Sequence, residues 1–268
     1  MRIDEVRRLA LVEETFWWHR GRQRIVKRIL DRHVPPGARI LDVGCGPGGT
    51  TLSFCDTYRV FGVDASIEST RTAQGRGIAA ATMDATRLGV RPRSCDAIVS
   101  LDLLEHVDDV EALREMHAAL RPGGVLVVTV PAYQFLWSEH DEAVGHLRRY
   151  TRGGLQRLVQ AAGFEVTLNA YVMSSILPAA IIVRLAGRVL PRRRTEPAAQ
   201  FTKLPGFVNS LLERIVGLGP MPLRFVPIPF GLSIALVARR PRRIEAVEEQ
   251  RQSATRGAAV GPRLRARA

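Results

Sequence analysis

The chain has 268 residues, of which 46% are apolar, a proportion that can fill the core of one large domain. Its formal net charge of +13 is uneven, because residues 1–150 carry equal numbers of basic and acidic side chains and the whole surplus lies in residues 151–268. A neutral first part does not favour a nucleic-acid groove there, and no nucleic-acid partner is expected.

The cysteines and the amino-terminal residues indicate the compartment in which we expect the protein. Cys45, Cys55 and Cys95 lack the spacing of a metal site, so we expect reduced core cysteines and no bound metal. Residues 1–14 are charged and hold no apolar signal-peptide core, so export is not expected. We therefore predict a cytoplasmic protein.

The first part of the chain has helical patterns. They cover residues 4–15 and 19–33, and the Pro35-Pro36-Gly37 turn ends them before the first strand begins. We predict that these helices form an N-terminal cap. Trp18 and Arg20 are candidate substrate contacts within it; the alternative is that the paired tryptophans fix the helix to the domain.

A glycine-rich turn follows the first predicted strand. Residues Ile40 to Val43 form a short apolar run, and Gly44-Cys45-Gly46-Pro47-Gly48-Gly49 comes next. Glycines let the backbone approach a ligand that any Cβ atom would push away, and the helix that begins there offers unpaired N–H groups. Asp64 ends the next predicted strand, where ribose hydroxyls would lie. The arrangement indicates a nucleotide or nucleoside pocket.

Two ligands fit the glycine spacing. Gly44, Gly46 and Gly49 match G-x-G-x-x-G, the fingerprint of dinucleotide sites. Gly44, Gly46 and Gly48 match a G-x-G-x-G loop, and Asp42 just before it suits an ammonium group better than a phosphate. A strand-to-helix turn without any ligand is a further alternative.

Later segments continue the strand and helix alternation. They are Met83-Asp84-Ala85 after a third strand over residues 78–82, a fourth strand from Cys95 to Leu101, Asp102 with Leu104-Glu105-His106-Val107 after it, and Leu120-Arg121-Pro122-Gly123-Gly124 before a fifth strand over 125–130. In order and spacing, over about residues 37–170, this series resembles the class I S-adenosylmethionine-dependent methyltransferases, of the broad type 11/12 kind.

The resemblance implies S-adenosyl-L-methionine as the cofactor, in preference to NAD. It also implies an α/β fold, with a doubly wound Rossmann-like sheet of seven strands that is mostly parallel and whose last strand runs antiparallel between the fifth and the sixth. The cofactor-binding residues that we expect are Asp42, Gly44, Cys45, Gly46, Gly48, Asp64, Ala65, Asp84, Ala85 and Leu101.

The predicted organisation has three parts. They are a helical cap over residues 1–36, a methyltransferase domain over 37–239 that carries a helical insertion at 173–230, and a disordered basic tail over 240–268. Further helices are expected near residues 49–56, 67–75, 107–119 and 152–162, and the sixth and seventh strands at 164–172 and 231–239.

The insertion contains a basic amphipathic segment. Ile176 to Val183 is apolar, and Arg184, Arg188 and Arg192 follow at a spacing of four. The segment is too short and too charged to span a bilayer. It is either a lid over the active site with its arginines in water, or a contact with an anionic membrane surface, which would place the protein at the inner membrane face.

The loop after the fifth strand is rich in chemically active side chains. We predict that His140, oriented by Asp141, takes a proton from the acceptor, and His146 is a further catalytic candidate. The residues expected on the substrate side are His106, Arg148, Arg149 and Tyr150. Alternatives remain for two of these groups: Arg148 and Arg149 either bind an anionic part of the substrate or brace the loop, and His106 is either functional or a structural residue at the helix start.

Chemistry narrows the expected function. A sulfonium already makes its methyl group electrophilic, so the protein has to align an acceptor, exclude water and accept a proton from a hydroxyl. We expect methyl transfer to oxygen of a small-molecule or lipid-linked acceptor by in-line SN2 displacement. The alternative is a non-catalytic nucleoside-binding scaffold at a membrane surface, and a dehydrogenase is more distant.

Overall fold

A computed structural model describes residues 6, 10, 13, 16–178, 181, 206–217 and 229–242. Most of the first predicted helix, the basic segment with Arg184, Arg188 and Arg192, and the tail beyond residue 242 lie outside the described residues. All three cysteines are free thiols.

Helices and strands alternate along the described chain. In order they are α1 (Trp17–His33), β1 (Arg39–Val43), α2 (Gly49–Cys55), β2 (Arg59–Asp64), α3 (Ile67–Gly75), β3 (Ala79–Thr82), β4 (Cys95–Leu101), α4 (Asp109–Ala119), β5 (Leu120–Pro131), α5 (Glu139–Ala143), α6 (Arg152–Ala161), β6 (Glu165–Val172), α7 (Gly206–Gly217) and β7 (Ser233–Arg239). Single 3-10 turns occupy Leu104–His106, Gln134–Leu136 and Ser174–Ile176.

The seven strands form one sheet in the order β3-β2-β1-β4-β5-β7-β6. Strands β1 to β5 pair in parallel, whereas β7 runs antiparallel to both β5 and β6. The predicted fold class is therefore confirmed. The chain reverses its direction of winding at β1 and β4, and ligands of such sheets bind outside the carboxyl ends of the strands at this point.

Both faces of the sheet are covered, because successive side chains of a strand point to opposite faces. One face packs against α4 and α6 through residues that include Leu41, Ile98, Leu126, Leu113 and Leu155. The other packs against α1 and α2 through residues that include Ile40, Val99, Val127, Leu30 and Phe54. Residues 40–43 of β1, 97–101 of β4 and 124–131 of β5 are all buried, as expected of strands that are covered on both faces.

Side-chain caps set several helix starts. Ser66, Asp108 and Thr151 each accept a hydrogen bond from the backbone N–H three residues ahead, at the starts of α3, α4 and α6. Strand β5 is longer than expected, because Leu120 already pairs with Cys95 before a register shift in β4. The chain turns into the rest of β5 at Gly123, whose φ of +78° favours glycine.

Helix α7, from the insertion, packs against α1 of the N-terminal cap. The Trp17 N–H donates to Asn209 Oδ1 at 3.0 Å, and the buried Glu213 pairs with Arg20 and Arg24. Within the part of the chain that is described, no helix is long and apolar enough to cross a membrane.

Candidate active site

The glycine loop between β1 and α2 has two kinds of glycine. Gly44, Gly46 and Gly48 all have positive φ, between 55° and 87°. A Cβ atom on Gly48 would lie 2.4 Å from Ile78 Cδ1, so that glycine is needed for packing. A Cβ on Gly46 would meet nothing within 4 Å, so the backbone there faces open space. Gly46 is therefore the position at which a ligand can approach the loop.

The start of α2 is already capped by an acid from the N-terminal cap. The Gly49 N–H donates to Glu13 Oε2 at 3.0 Å, and Arg76 Nη1 lies 3.5 Å from the same oxygen. Burial raises the pKa of Glu13, and the nearby Arg22 and the Gly49 hydrogen bond lower it. A pyrophosphate at this helix start would have to displace the carboxylate, so the geometry disfavours a dinucleotide. The sequence carried no signal for this contact, because Glu13 lies in another element.

Two acids flank the loop at the ends of β1 and β2. Asp42 is buried, and Thr51 Oγ1 donates to its Oδ2 at 2.6 Å. Burial raises the pKa of Asp42 to about 7, against the lowering effect of that hydrogen bond. Asp64 accepts hydrogen bonds from the backbone N–H groups of Gly46 and Ser66, at 2.9 and 2.8 Å. Asp64 thus fixes the loop through one hydrogen bond to each of its oxygens.

The other expected cofactor residues lie around the same sheet edge. Ala65 follows β2, Leu101 ends β4, and Ala85 is buried after β3. Asp84 is exposed, and its Oδ1 accepts from both the N–H and the hydroxyl of Thr86 at 2.8 Å, which shapes the turn. The Cys45 side chain lies 2.8 Å from the position of an ideal Cβ on Gly62 in β2, so it packs onto the sheet.

An acid that the sequence did not single out lies at the end of β4. Asp102 has a φ of +51°, forms an ion pair with Arg22 of α1, and accepts from Thr129 Oγ1 at 3.1 Å. His19 of the same helix is buried, and burial together with Arg22 lowers its pKa to about 3. The cap helix is therefore joined electrostatically to the carboxyl end of the sheet.

Asp141 is the centre of a buried network in the loop after β5. Its Oδ1 lies 2.8 Å from His146 Nδ1 and 2.6 Å from Arg149 Nη2, and its Oδ2 accepts from the Ser138 N–H and hydroxyl. Burial would raise the pKa of Asp141, but the hydrogen bonds from His146 and Arg149 hold it well below its usual range. His140 lies in α5, and its side chain is outside the described residues.

Glu105 and two histidines form a second cluster beside that network. Glu105 is fully buried, and within the described residues neither of its carboxylate oxygens has a hydrogen-bond partner. Its Oε1 lies 3.8 Å from His146 Nε2, and the rings of His106 and His146 meet edge-on at 4.7 Å. Burial and the nearby Asp102 raise the pKa of Glu105 well above its ordinary value, and burial and His146 lower that of His106.

The expected substrate arginines have partners within the protein. Arg149 donates to Asp141 and to the Ala132 carbonyl, and its side chain is buried. Arg148 pairs with Asp109 at 2.7 Å, and the Tyr150 hydroxyl lies 2.7 Å from the same carboxylate. In this geometry the two arginines brace the loop.

The expected substrate contacts of the cap, Trp18 and Arg20, lie on α1. Trp18 meets the Trp17 ring edge-on at 5.8 Å, and both pack against a cluster of buried residues at the ends of β6 and β7. Arg20 is half-exposed, pairs with Glu213, and lines a surface cavity of about 140 Å³ with residues of α1, α2 and α7. The cluster that Trp18 contacts also contains Leu136 of the loop after β5, whereas Arg20 faces α7.

Comparisons with known proteins identify the family. A family model described as "Methyltransferase domain" matches residues 17–169. A probable S-adenosylmethionine-dependent methyltransferase from Mycolicibacterium smegmatis is 29% identical over 164 residues, which are 59% of this chain and 62% of that protein. The tRNA (carboxymethyluridine(34)-5-O)-methyltransferase ALKBH8 from Mus musculus is 32% identical over 124 residues, or 45% of this chain and 18% of that protein. The chain thus spans less than two thirds of both relatives.

Solved structures share the fold. A chain from the complex between the Haloferax volcanii Trm112 methyltransferase activator and the putative methyltransferase superposes with a TM-score of 0.59, at 20% identity, covering 90% of this chain and 96% of that one. A possible histamine N-methyltransferase from Thermotoga maritima gives a TM-score of 0.56 at 18% identity, covering 89% and 96%. With its glycine loop, its acids at the strand ends and the family match over more than half its length, the chain belongs to the class I S-adenosylmethionine-dependent methyltransferases.

Proposed function

We propose that the chain methylates an oxygen atom of a small-molecule or lipid-linked acceptor, bound where the loops after β4 and β5 meet. The observation that carries this proposal is a set of titratable side chains where these loops meet, in which His106 and His146 are partly buried and Glu105 and Asp141 are buried. A neutral amine needs no base to attack a sulfonium, whereas a hydroxyl must lose its proton. Proton-handling groups at this place therefore favour oxygen.

The donor side of the site fits S-adenosyl-L-methionine. The cofactor supplies a methyl group on a positively charged sulfur, together with an ammonium and ribose hydroxyls. The open backbone at Gly46 would admit the ligand, Asp64 would accept hydrogen bonds from ribose hydroxyls, and a cationic group near Asp42 would favour ionisation of that buried acid. We assign further contacts to Gly44, Ala85 and Leu101 on their position at the same edge, and give Gly48 a packing role in the loop.

The proton acceptor that we propose is His140, on α5 of the loop after β5. Asp141, its neighbour, hydrogen-bonds to His146 and Arg149 instead, so we give Asp141 a positioning role in the loop. Such a loop aligns the acceptor oxygen with the methyl group and excludes water from the reaction.

Label transfer tests the proposal. The full chain is incubated with methyl-labelled S-adenosyl-L-methionine and with separated lipid, small-molecule, RNA and protein fractions. We expect label in the lipid or the small-molecule fraction, with the ¹³C chemical shift of a methyl group on oxygen. Label in RNA alone, or on nitrogen or carbon, would overturn the proposal. The tRNA-directed relative makes the RNA arm necessary.

Turnover and cofactor binding, measured together, test both the role of His140 as the base and the alternative of a non-catalytic scaffold. Replacing His140 by Ala should lower turnover about 100-fold or more while calorimetry shows unchanged affinity for S-adenosyl-L-methionine. Equal turnover in the variant would remove His140 from the mechanism. Wild-type protein that binds S-adenosyl-L-methionine and S-adenosylhomocysteine, but labels no fraction, would support the scaffold, and binding of NAD alone would support a dehydrogenase.

An exposed apolar stripe supports the lipid-linked class of acceptor. Phe207, Leu211 and Ile215 follow one another at a spacing of four on α7, and Phe207 is 77% exposed. Residues 151–268 also carry the whole positive surplus of the chain. An apolar stripe within a basic part of a protein suits an anionic lipid surface.

A further inference from the structure

We propose that Glu105, His106 and His146 bind a divalent transition-metal ion between the loop after β4 and the loop after β5. One ligand atom from each of the three residues can be chosen so that all lie within 4.8 Å of one another. Around a tetrahedral ion with bonds of about 2.1 Å, ligand atoms are separated by about 3.4 Å. The Glu105 Oε1 to His146 Nε2 distance of 3.8 Å is already close to that spacing.

The hydrogen bonds of the two histidines leave the metal-binding nitrogens free of protons. His146 Nδ1 lies 2.8 Å from a carboxylate oxygen of Asp141, and His106 Nδ1 lies 3.3 Å from the Gly145 carbonyl oxygen. Both oxygens only accept hydrogen bonds, so each Nδ1 carries the proton. In a neutral imidazole the other nitrogen, Nε2, then presents its lone pair. Both rings are therefore in the tautomer that a metal ion requires.

Glu105 supplies the charge. Its side chain is fully buried, and among the described residues no donor reaches either carboxylate oxygen. The neighbouring guanidinium groups of Arg22 and Arg149 are engaged by Asp102 and Asp141. Burying a carboxylate without a donor or a cation is costly, and a bound cation removes that cost.

The surroundings hold the ligands in position. Asp141 orients His146 and is itself held by Arg149 and Ser138, which is the carboxylate–histidine arrangement found behind many metal-ligating histidines. The Leu147 N–H donates to the Glu105 carbonyl at 2.7 Å, so the backbones of the two loops are already joined at the cluster.

The types of ligand atom limit which metal ions can bind at this site. Two imidazoles and one carboxylate suit Mn²⁺, Fe²⁺, Co²⁺, Ni²⁺ or Zn²⁺, whereas Mg²⁺ and Ca²⁺ prefer oxygen ligands. Three protein ligands leave at least one coordination position for water or for an acceptor oxygen. The proposal departs from the expectation of a metal-free site, which rested on cysteine spacing. It does not depend on the proposed acceptor, because metal binding is measured without one. With the Nε2 lone pairs of both histidines on the ion, proton acceptance falls to His140, which is not a metal ligand.

Metal uptake by the full chain tests the proposal. Protein stripped with a chelator is dialysed against Zn²⁺, Mn²⁺ or Co²⁺, and metal content, the visible spectrum of the Co²⁺ form and the melting temperature are measured. We expect about one ion per chain and a melting temperature that rises with metal concentration. Glu105→Gln and His146→Ala should each lose at least about tenfold in affinity.

The control is His117→Ala, whose ring packs edge-on against Phe164 away from the cluster. It should bind the metal as the wild type does. His106→Asn gives a second ligand variant if Glu105→Gln does not fold, as judged by circular dichroism. No uptake of any of the three metals by the wild type, or an affinity in both His106→Asn and His146→Ala equal to that of the wild type, would overturn the proposal. Glu105 would then be a buried neutral carboxyl group.

Discussion

Asp42 links cofactor binding to stability at the scale of a single residue. Burial raises its pKa from 3.8 to about 7. Between these pH values the folded protein holds a proton on Asp42 that the unfolded chain releases. The contribution of protonated Asp42 to the free energy of unfolding is therefore complete below about pH 4 and is lost as the pH rises through 7. The ionised form of the buried Asp42 is therefore unfavourable in the ligand-free protein and favourable beside a bound cation.

We predict that the cofactor-free wild type loses unfolding free energy more steeply than Asp42→Asn between pH 5 and pH 7. The difference in slope should be at most about 1.4 kcal/mol per pH unit, the limit for one proton. Urea unfolding at several pH values measures it. Glu13 and Glu105 also have raised pKa values, but they are present in both proteins. Parallel slopes would contradict the assignment to Asp42.

Single residues also show the reach of the sequence analysis. Asp42, Asp64 and the loop glycines could be found because strand, turn and helix signals surround them in the chain. The Asp141 to His146 hydrogen bond and the Asp102 to Arg22 ion pair could not be found in this way. Several polar side chains lie near one another at these places, and the backbone geometry decides which of them form hydrogen bonds or ion pairs. The composition and spacing of the sequence do not contain that information.

At the scale of an element, two glycines of the loop between β1 and α2 have different roles, since Gly48 packs against the protein and Gly46 faces open space. We predict that Gly48→Ala destabilises the fold, because Cβ would clash with Ile78 and the φ of +87° alone costs about 1 to 2 kcal/mol. Gly46→Ala meets open space and carries only the strain of its φ of +55°, so it should be destabilised less than Gly48→Ala, yet lose about tenfold or more in affinity for S-adenosyl-L-methionine. Urea unfolding and calorimetry on both variants give the comparison. If Gly46→Ala keeps the wild-type affinity for S-adenosyl-L-methionine, the cofactor does not bind against this part of the loop.

Most element boundaries were predictable from the sequence, and the reason is local. Helix α3 occupies residues 67–75 and strand β4 residues 95–101, as expected, since a cap residue or an apolar run marks their ends. Helix α1 begins two residues earlier than expected, at Trp17, where Asn209 accepts from its backbone N–H. That stabilising contact comes from α7, distant in the chain, and no local pattern reports it.

At the scale of the whole molecule, charge and apolar surface lie in the same part of the chain. We predict that the protein floats with anionic phospholipid vesicles at low salt and is released at high salt, because salt screens the attraction of the basic surplus in residues 151–268. Phe207→Ser combined with Leu211→Ser should weaken binding. The control is Val110→Ser, which alters a 50% exposed apolar residue on α4.

Two vesicle results would count against a lipid contact. Absence of flotation at low salt would leave the insertion as a lid over the active site. An equal loss in the Val110→Ser control would mean that general surface hydrophobicity, and not the stripe on α7, drives the binding. Either result leaves methyl transfer to a small molecule as the proposed function.

The contact between Glu13 and the Gly49 N–H makes the amino-terminal part of the chain a thermodynamic partner of the cofactor loop. Linkage between two sites is reciprocal. If the contact stabilises the loop in the form that receives S-adenosyl-L-methionine, the bound cofactor must in turn strengthen the contact of Glu13. Proteolysis at Glu13 should therefore be slower when S-adenosyl-L-methionine is bound.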